Sequence, residues 1–421
     1  MPRKKYALAR LISQPVYLYA FQTTREQLKL LFTTRQYQLF LTKKQPYGFN
    51  YGVDMIDRLN LLKTGRFCSL LIQKLLYIKK QPRIRNQFIL GTAVSSRHNY
   101  FDKVEPECVV SWEEHNGYVT SIAFHPIEPL IVTSSHNHTA KLWCMNYEHT
   151  VADCVAILTG HRDSVWSATF HPTEPLILTG SSDKTAKLWR MNSDRTAAEC
   201  VATFTGHSDS VNYATFHPTE PLIVTGSIDK TAKLWCMNSE RTVADCVATL
   251  EGHNNWVFSA TFHPTEPLIV TSSAEKTARL WHINSDRTAV ECIATLVGHS
   301  DSILYATFHP TEPLILTGSQ DKTARLWHMN SEHTAAECVA IFATGRNNHI
   351  NSAVFHPTEP LIVTSSHDKT AKLWRMNSER TAVENVATLE GHGKFVISVA
   401  FHPIEPLIAT VSYDKTIKLW K

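Results

Sequence analysis

Histidine and cysteine are the side chains of this sequence whose spacing could support metal or redox chemistry. The chain of 421 residues contains 22 histidines and nine cysteines. His136 and His138 form a His-x-His pair, but no second ligand pair lies nearby in the sequence, so the pattern does not predict a metal site. The motifs GxSxG, HExxH and GxGxxG and the P-loop are absent. The sequence therefore predicts no enzyme, no metal and no cofactor.

The cysteines follow a fixed period rather than a metal-ligand spacing. Six of them recur every 46 residues, at the start of apolar runs such as ECVATF in residues 199–204: Cys108, Cys154, Cys200, Cys246, Cys292 and Cys338. No CxxC pair is present, and equivalent positions of successive repeats cannot easily reach disulfide distance. We expect small, buried core cysteines and a reducing compartment. The cytoplasm fits best, with the nucleus and a mitochondrial presequence left open.

The same period organises about three quarters of the chain. A phrase close to FHPTEPLIVTGSxDKTAKLW occurs seven times, with its tryptophans 46 or 47 residues apart: Trp143, Trp189, Trp235, Trp281, Trp327, Trp374 and Trp420. A fixed period of this length predicts supersecondary units that bury their core against neighbouring units.

Each copy contains four short apolar runs separated by turn residues. In the copy from Cys154 to Arg190 the runs are CVAIL, VWSATF, LILTG and TAKLWR, which we name strands d, a, b and c. The prolines of HPTEP and the polar residues of SSDK separate them, because such residues favour turns and interrupt central strands. Four strands per copy predict an all-β fold, and repeated four-stranded sheets that close radially form a β-propeller. In such a ring strand a lines the central channel.

The constant positions resemble the WD-repeat family of β-propellers. The Gly-His pair before strand a, the Asp in the b–c turn and the Trp of strand c match the family pattern in successive copies. The resemblance implies a seven-bladed propeller in which His, Thr, Asp and Trp of one blade form a structural hydrogen-bond tetrad. Four copies contain all of these residues: His161, Thr179, Asp183 and Trp189; His207, Thr225, Asp229 and Trp235; His299, Thr317, Asp321 and Trp327; His392, Thr410, Asp414 and Trp420.

Several copies depart from the family pattern. The family's Asp after the Trp is missing from every copy. Blade one has Asn137 in place of the tetrad Asp, and blade four has Glu275. Blade six has Arg346 in place of His, with a one-residue insertion before Gly345. We expect these three blades to be looser than the others.

The charge distribution divides the chain into two parts. Residues 1–100 carry a net charge of +15, and residues 101–421 carry −11. We predict a basic, partly helical N-terminal extension over 1–100 and a monomeric propeller over 101–421, without a membrane span. The segment CVVSW at residues 108–112 aligns with strand d, so we expect it to complete the seventh blade beside strand c at residues 415–420.

Variation among the copies is concentrated in the d–a loops and b–c turns. Both lie at one end of a propeller, which we call the top face, whereas HP and EPLI at the bottom are constant in all seven copies. The variable positions contain most of the residues that we predict to bind a partner: Tyr118, Trp166, Trp256, Phe258, His367, Phe395 and Tyr413, with Tyr213 and Tyr305 nearby. Clustered exposed aromatic residues are typical of protein interfaces. Drift at unconstrained positions, and packing of some rings between blades, are the alternatives.

These observations predict a non-catalytic scaffold that binds a protein or peptide on its top face. One alternative is a recognition or adaptor protein with diversified repeats, in nonself recognition or as a ubiquitin-ligase substrate adaptor. Nonself-recognition proteins with such repeats usually carry a nucleotide-binding module, but its P-loop is absent here. Ubiquitin-ligase adaptors with such repeats can carry an F-box, but the Leu-Pro opening of that module is also absent. Another alternative is a nucleic-acid-associated protein that uses residues 1–100, which could equally bind an acidic partner.

Overall fold

The computed structural model describes residues 106–113, 115–146, 152–343 and 348–421, and all regular structure in these ranges is β. The helices predicted for residues 1–100 lie outside the described residues. Residues 100–421 form one compact unit.

The described residues form seven four-stranded antiparallel sheets, one for each blade. Blade one contains β2 (Val119–Phe124), β3 (Leu130–Ser135), β4 (Thr139–Met145) and β5 (Ala152–Thr159). Blade two contains β6 (Val165–Phe170), β7 (Leu176–Ser181), β8 (Ala186–Met191) and β9 (Ala198–Phe204). Blade three contains β10 (Val211–Phe216), β11 (Leu222–Ser227), β12 (Ala232–Met237) and β13 (Ala244–Leu250). Blade four contains β14 (Val257–Phe262), β15 (Leu268–Ser273), β16 (Thr277–Ile283) and β17 (Val290–Val297). Blade five contains β18 (Ile303–Phe308), β19 (Leu314–Ser319), β20 (Thr323–Met329) and β21 (Ala336–Ala343). Blade six contains β22 (Ile350–Phe355), β23 (Leu361–Ser366), β24 (Ala371–Met376) and β25 (Val383–Leu389). Blade seven contains β26 (Val396–Phe401), β27 (Ile408–Ser412), β28 (Ile417–Trp420) and β1 (Cys108–Trp112).

The seventh sheet joins the two ends of the repeat region. Its strand order is β1-β28-β27-β26, and β1 runs antiparallel to β28 with Trp112 opposite Ile417. The backbone amides of Glu107 and Lys421 donate to each other's carbonyl groups, with N···O distances of 2.9 and 3.0 Å. Trp112 also packs edge-on against Trp143 of blade one. The fold is therefore the seven-bladed, all-β propeller that the repeats predict.

The hydrophobic core lies between neighbouring blades. One buried cluster combines Leu176, Leu188 and Phe204 of blade two with Val211 and Trp235 of blade three. Strand b is buried along its whole length because it is flanked on both sides. Each such aliphatic side chain contributes about 1.5–3 kcal/mol when it leaves water, so a blade depends on its neighbour for stability.

The six periodic cysteines are not core residues, and that prediction was wrong. Cys154 is half-buried, and the other five are exposed: Cys108, Cys200, Cys246, Cys292 and Cys338. The reason is a β-bulge in the pairing of strands c and d. Trp189 lies opposite Cys200 while Leu188 lies opposite Ala202, so Val201 is the extra residue. Val201 and Ala202 pack against the next core, which leaves the cysteine on the outer edge of the sheet.

The histidines of the FHP phrase form a second connection between blades, which we call the histidine belt. The Nδ1 atom of His171 accepts hydrogen bonds from the backbone amides of Thr173 and Glu174, and its ring lies edge-on 4.8 Å from Phe216 of blade three. The same packing joins every blade to the next, from His125–Phe170 to His402–Phe124, at 4.7–5.0 Å between ring centres. The belt therefore closes around the ring.

An ion-pair belt lies beside the histidine belt. The Glu of the a–b turn accepts two hydrogen bonds from the guanidinium group of the next blade's c–d turn, as in Glu174 and Arg241. The other pairs are Glu128–Arg195, Glu220–Arg287 and Glu312–Arg380. The constant bottom turns are thus constrained by contacts between blades. These contacts already explain why the bottom turns are constant. Their constancy is therefore weaker evidence that selection acts on the variable top face.

Candidate protein-binding face

The hydrogen-bond tetrads fix the top end of each complete blade. In blade two the indole N–H of Trp189 donates to Thr179 Oγ1 at 2.9 Å, and His161 Nε2 lies 2.7 Å from the same oxygen. His161 Nδ1 lies 2.8 Å from Asp183 Oδ2. Because the indole can only donate, the consistent order runs from Trp to Thr, from Thr to His Nε2, and from His Nδ1–H to Asp. Blades three, five and seven have the same contacts at 2.7–3.1 Å.

The tetrad carboxylate holds the d–a loop against the b–c turn. Burial alone would raise the pKa of Asp183, but hydrogen bonds from Thr185, the Arg162 amide and His161 outweigh it and lower the pKa to about 2. The carboxylate therefore stays ionised at neutral pH. Burial lowers the pKa of His161, which favours its neutral form.

Blades one, four and six, which depart from the family's tetrad pattern, differ from one another. In blade four Glu275 replaces Asp and keeps the contact with His, since it lies 2.6 Å from His253 Nδ1, accepts from the Asn254 amide and pairs with Arg279. The His253 contacts with Glu275 and Thr271 are therefore retained in blade four. In blade one His115 Nδ1 is buried without a partner beside Asn137.

In blade six Asp368 Oδ2 is also buried without a partner. The Trp374–Thr364 hydrogen bond of that blade is present at 2.9 Å. Arg346 and the insertion at Gly345 lie outside the described residues.

A continuous series of rings crosses the top face from blade six through blades seven and one to blade two. We call it the aromatic arc, and it consists of His349, His367, Phe395, Tyr413, Tyr118, His136 and Trp166. His367 stacks on Phe395 at 4.2 Å, and Tyr118 stacks on Tyr413 at 4.7 Å. The remaining neighbours are in edge or tilted contact at 4.6–6.3 Å. His136 and His349 were not among the predicted site residues, although both stand in the variable columns that identified the others.

Trp256 and Phe258 form a separate aromatic pair in blade four. Their rings are perpendicular, with centres 6.2 Å apart, and Trp256 is 46% exposed. In a seven-bladed ring blade four lies across the channel from the junction of blades seven and one. The top face therefore has two aromatic patches on opposite sides of the channel mouth.

Tyr213 and Tyr305 are not part of the top face, contrary to their predicted place. Both belong to strand a, at the position that faces the central channel, and their hydroxyl groups are 3.0 Å apart. Burial raises the pKa of both phenols. With them, Ser167 and Ser352 line a cavity of about 80 Å³ in the channel. The two tyrosines thus narrow the channel below the mouth.

Within the described ranges, no group of three or more His, Cys, Asp or Glu side chains is placed to hold a metal ion. No helix in the same part of the chain is long and apolar enough to span a membrane.

Comparison with known families identifies the repeat. The family model for the WD domain, G-beta repeat, matches seven segments: 106–144, 152–190, 198–236, 244–282, 290–328, 336–375 and 383–421. A search of curated proteins found no match. Each matched segment ends at the residue after the strand c tryptophan, so it contains strand d of one blade and strands a, b and c of the next. They cover more than half of the chain, and the protein therefore belongs to the WD40 repeat family.

Proposed function

We propose that the protein is a non-catalytic scaffold that binds a protein or peptide across its top face. WD40 propellers generally bind protein partners, and the observation that supports a top-face site here is the aromatic arc. The exposed parts of the arc rings can serve as anchors at the centre of an interface, which typically uses roughly 800 Å² on each partner.

The rigid ring favours this use of the face. In each of the four arc blades a backbone hydrogen bond joins the b–c turn to the d–a loop, as in the 2.9 Å bond between the Ser182 amide and the Ser164 carbonyl. Trp166 is held by an indole N–H bond to Ser182 Oγ at 2.7 Å. A preorganised surface loses little conformational entropy when it binds.

The test compares partner capture by full-length variants. Replacing Trp256 and Phe258 by Ala, or Tyr118 and Tyr413 by Ala, should remove proteins that the wild type captures from cell extract. Ile404→Ala is the matched control, because Ile404 is 59% exposed in a bottom turn. Equal capture by all variants, with unchanged melting temperatures, would refute a top-face site.

A further inference from the structure

Two pairs of rings in the aromatic arc stack face to face. Tyr118 and Tyr413 are nearly parallel, with 18° between their planes, and His367 and Phe395 differ by only 4°. The Lys394 ammonium lies 5.3 Å from the centre of the Tyr118 ring. Tyr118 and Phe395 nevertheless remain 38% and 39% exposed. A partner therefore meets ring edges more than free faces.

The edges of aromatic rings carry the positive part of the ring quadrupole, and the faces carry the negative part. The arc adds the Lys394 ammonium at its centre and three imidazole rings, of which His136 has a buried Nε2 atom without a partner. The positive charge of Lys394 and the positive ring edges favour carboxylate groups of a partner.

The charged residues of the loops around the arc also favour an acidic ligand. The position two residues after the tetrad His is Asp in blades two, three and five: Asp163, Asp209 and Asp301. At the centre of the arc this position is Lys394 in blade seven and Gly117 in blade one, and in blade six it is Asn348. Asp414 is already engaged by His392, Thr416 and the Gly393 amide. Asp163, at the blade-two end, accepts from the Ser164 amide.

We propose that the aromatic arc binds an acidic peptide segment, with its carboxylates against Lys394 and the ring edges. This inference rests on the proposed function and specifies its ligand. Peptide is favoured over single-stranded nucleic acid because bases stack on free aromatic faces, and Tyr118, Tyr413, His367 and Phe395 each have one face stacked on a neighbouring ring.

The experiment selects 12-residue peptides from a random display library on the immobilised full-length protein. The affinities of the enriched peptides, and of a 12-nucleotide oligo(dT) probe, are then measured by fluorescence polarisation. We expect the enriched peptides to carry net negative charge and to bind less tightly at high salt. Lys394→Glu and Tyr413→Ala should each weaken binding by about ten-fold or more.

Lys230→Glu is the matched control, because it places the same charge change on an exposed turn of blade three, away from the arc. It should change the affinity less than about two-fold, in line with the small effect of distant surface charges. Lys394→Gln replaces the ammonium by a neutral side chain, and melting curves verify the fold of each variant.

Three outcomes would overturn the proposal, and they separate it from the proposed function. Enrichment of neutral or basic peptides whose binding depends on Tyr413 would refute the acidic ligand. It would still support a peptide site on the top face. If the wild type binds oligo(dT) and Lys394→Glu does not, the ligand of the arc is a nucleic acid instead of a peptide. Failure to enrich any peptide that depends on the arc or on Trp256 would count against both the ligand and the site.

Discussion

Mild acid should unfold the propeller through the histidine belt. Burial lowers the pKa of six belt histidines from 6.5 to about 4: His125, His171, His217, His263, His309 and His356. A lowered pKa in the folded state means that folding favours the neutral ring. The stabilisation is therefore present above pH 6.5 and is lost as the pH falls from 6.5 toward 4.

The size of this loss follows from the two pKa values. Between pH 7 and pH 5.5, linkage gives a loss of about 1.2 kcal/mol for each histidine, or about 7 kcal/mol for all six. Domains are typically stable by about 5–15 kcal/mol, so the loss is comparable with the whole free energy of unfolding. The tetrad carboxylates do not contribute in this range, because their pKa values are lowered from an ordinary value already below 5.

Urea unfolding, followed by circular dichroism at several pH values from 7 to 5.5, measures the effect. In His171→Asn the side-chain oxygen can still accept from the turn amides but does not titrate, so the decrease between pH 7 and 5.5 should be about 1 kcal/mol smaller than in the wild type. His282→Asn is the control, because His282 is exposed. A wild-type stability that does not change with pH, or an equal decrease in His171→Asn, would refute this reasoning.

Three further predictions concern the closure of the ring and its irregular blades. Deleting residues 105–113 should lower the melting temperature by about 5 °C or more, because β28 loses its partner strand and Trp112 no longer packs on Trp143; an unchanged melting temperature would contradict closure by β1. His333 occupies the Arg position that would face Glu266, so His333→Arg should add an ion pair worth about 0.2–1 kcal/mol in urea unfolding, and a loss of stability would count against the ion-pair belt. Asn137→Asp should give the buried His115 Nδ1 a partner and stabilise blade one by about 1 kcal/mol, which is contradicted if the unfolding midpoint does not rise.

The fold was predictable because the same local signals repeat in register. Strand-forming runs, prolines in the a–b turn and the spacing of His, Thr, Asp and Trp all recur with one period. Repetition removes the ambiguity that a single short apolar run would leave between helix and strand. Pairing of residues 108–112 with the last strand followed from the same alignment.

What the sequence did not reveal depends on geometry across strands and blades. The bulge beside Val201 changes the alternation of strand d, so the periodic cysteines face solvent although their neighbours are apolar. Tyr213 and Tyr305 differ from top-face residues only by their position in strand a, and their mutual bond joins residues 92 positions apart. Likewise, the partner of Glu174 lies 67 residues away in the next blade. A constant Glu in the a–b turns and an Arg in four of the six c–d turns were the available signal for that contact.

The pairing of β1 with β28 sets an order on assembly during synthesis. The Lys418 ammonium donates to Ser111 Oγ, a contact that joins residues 307 positions apart. The strand that completes blade seven leaves the ribosome before the other propeller strands and must wait, without its partner β28, for almost the whole repeat region to follow. Blades one to six can assemble in sequence as they emerge, whereas closure of the last sheet is a long-range step that belongs at the end. Until then the nascent protein exposes strand β1 and the unpartnered side of blade one, and this interval is when the chain most needs protection from aggregation.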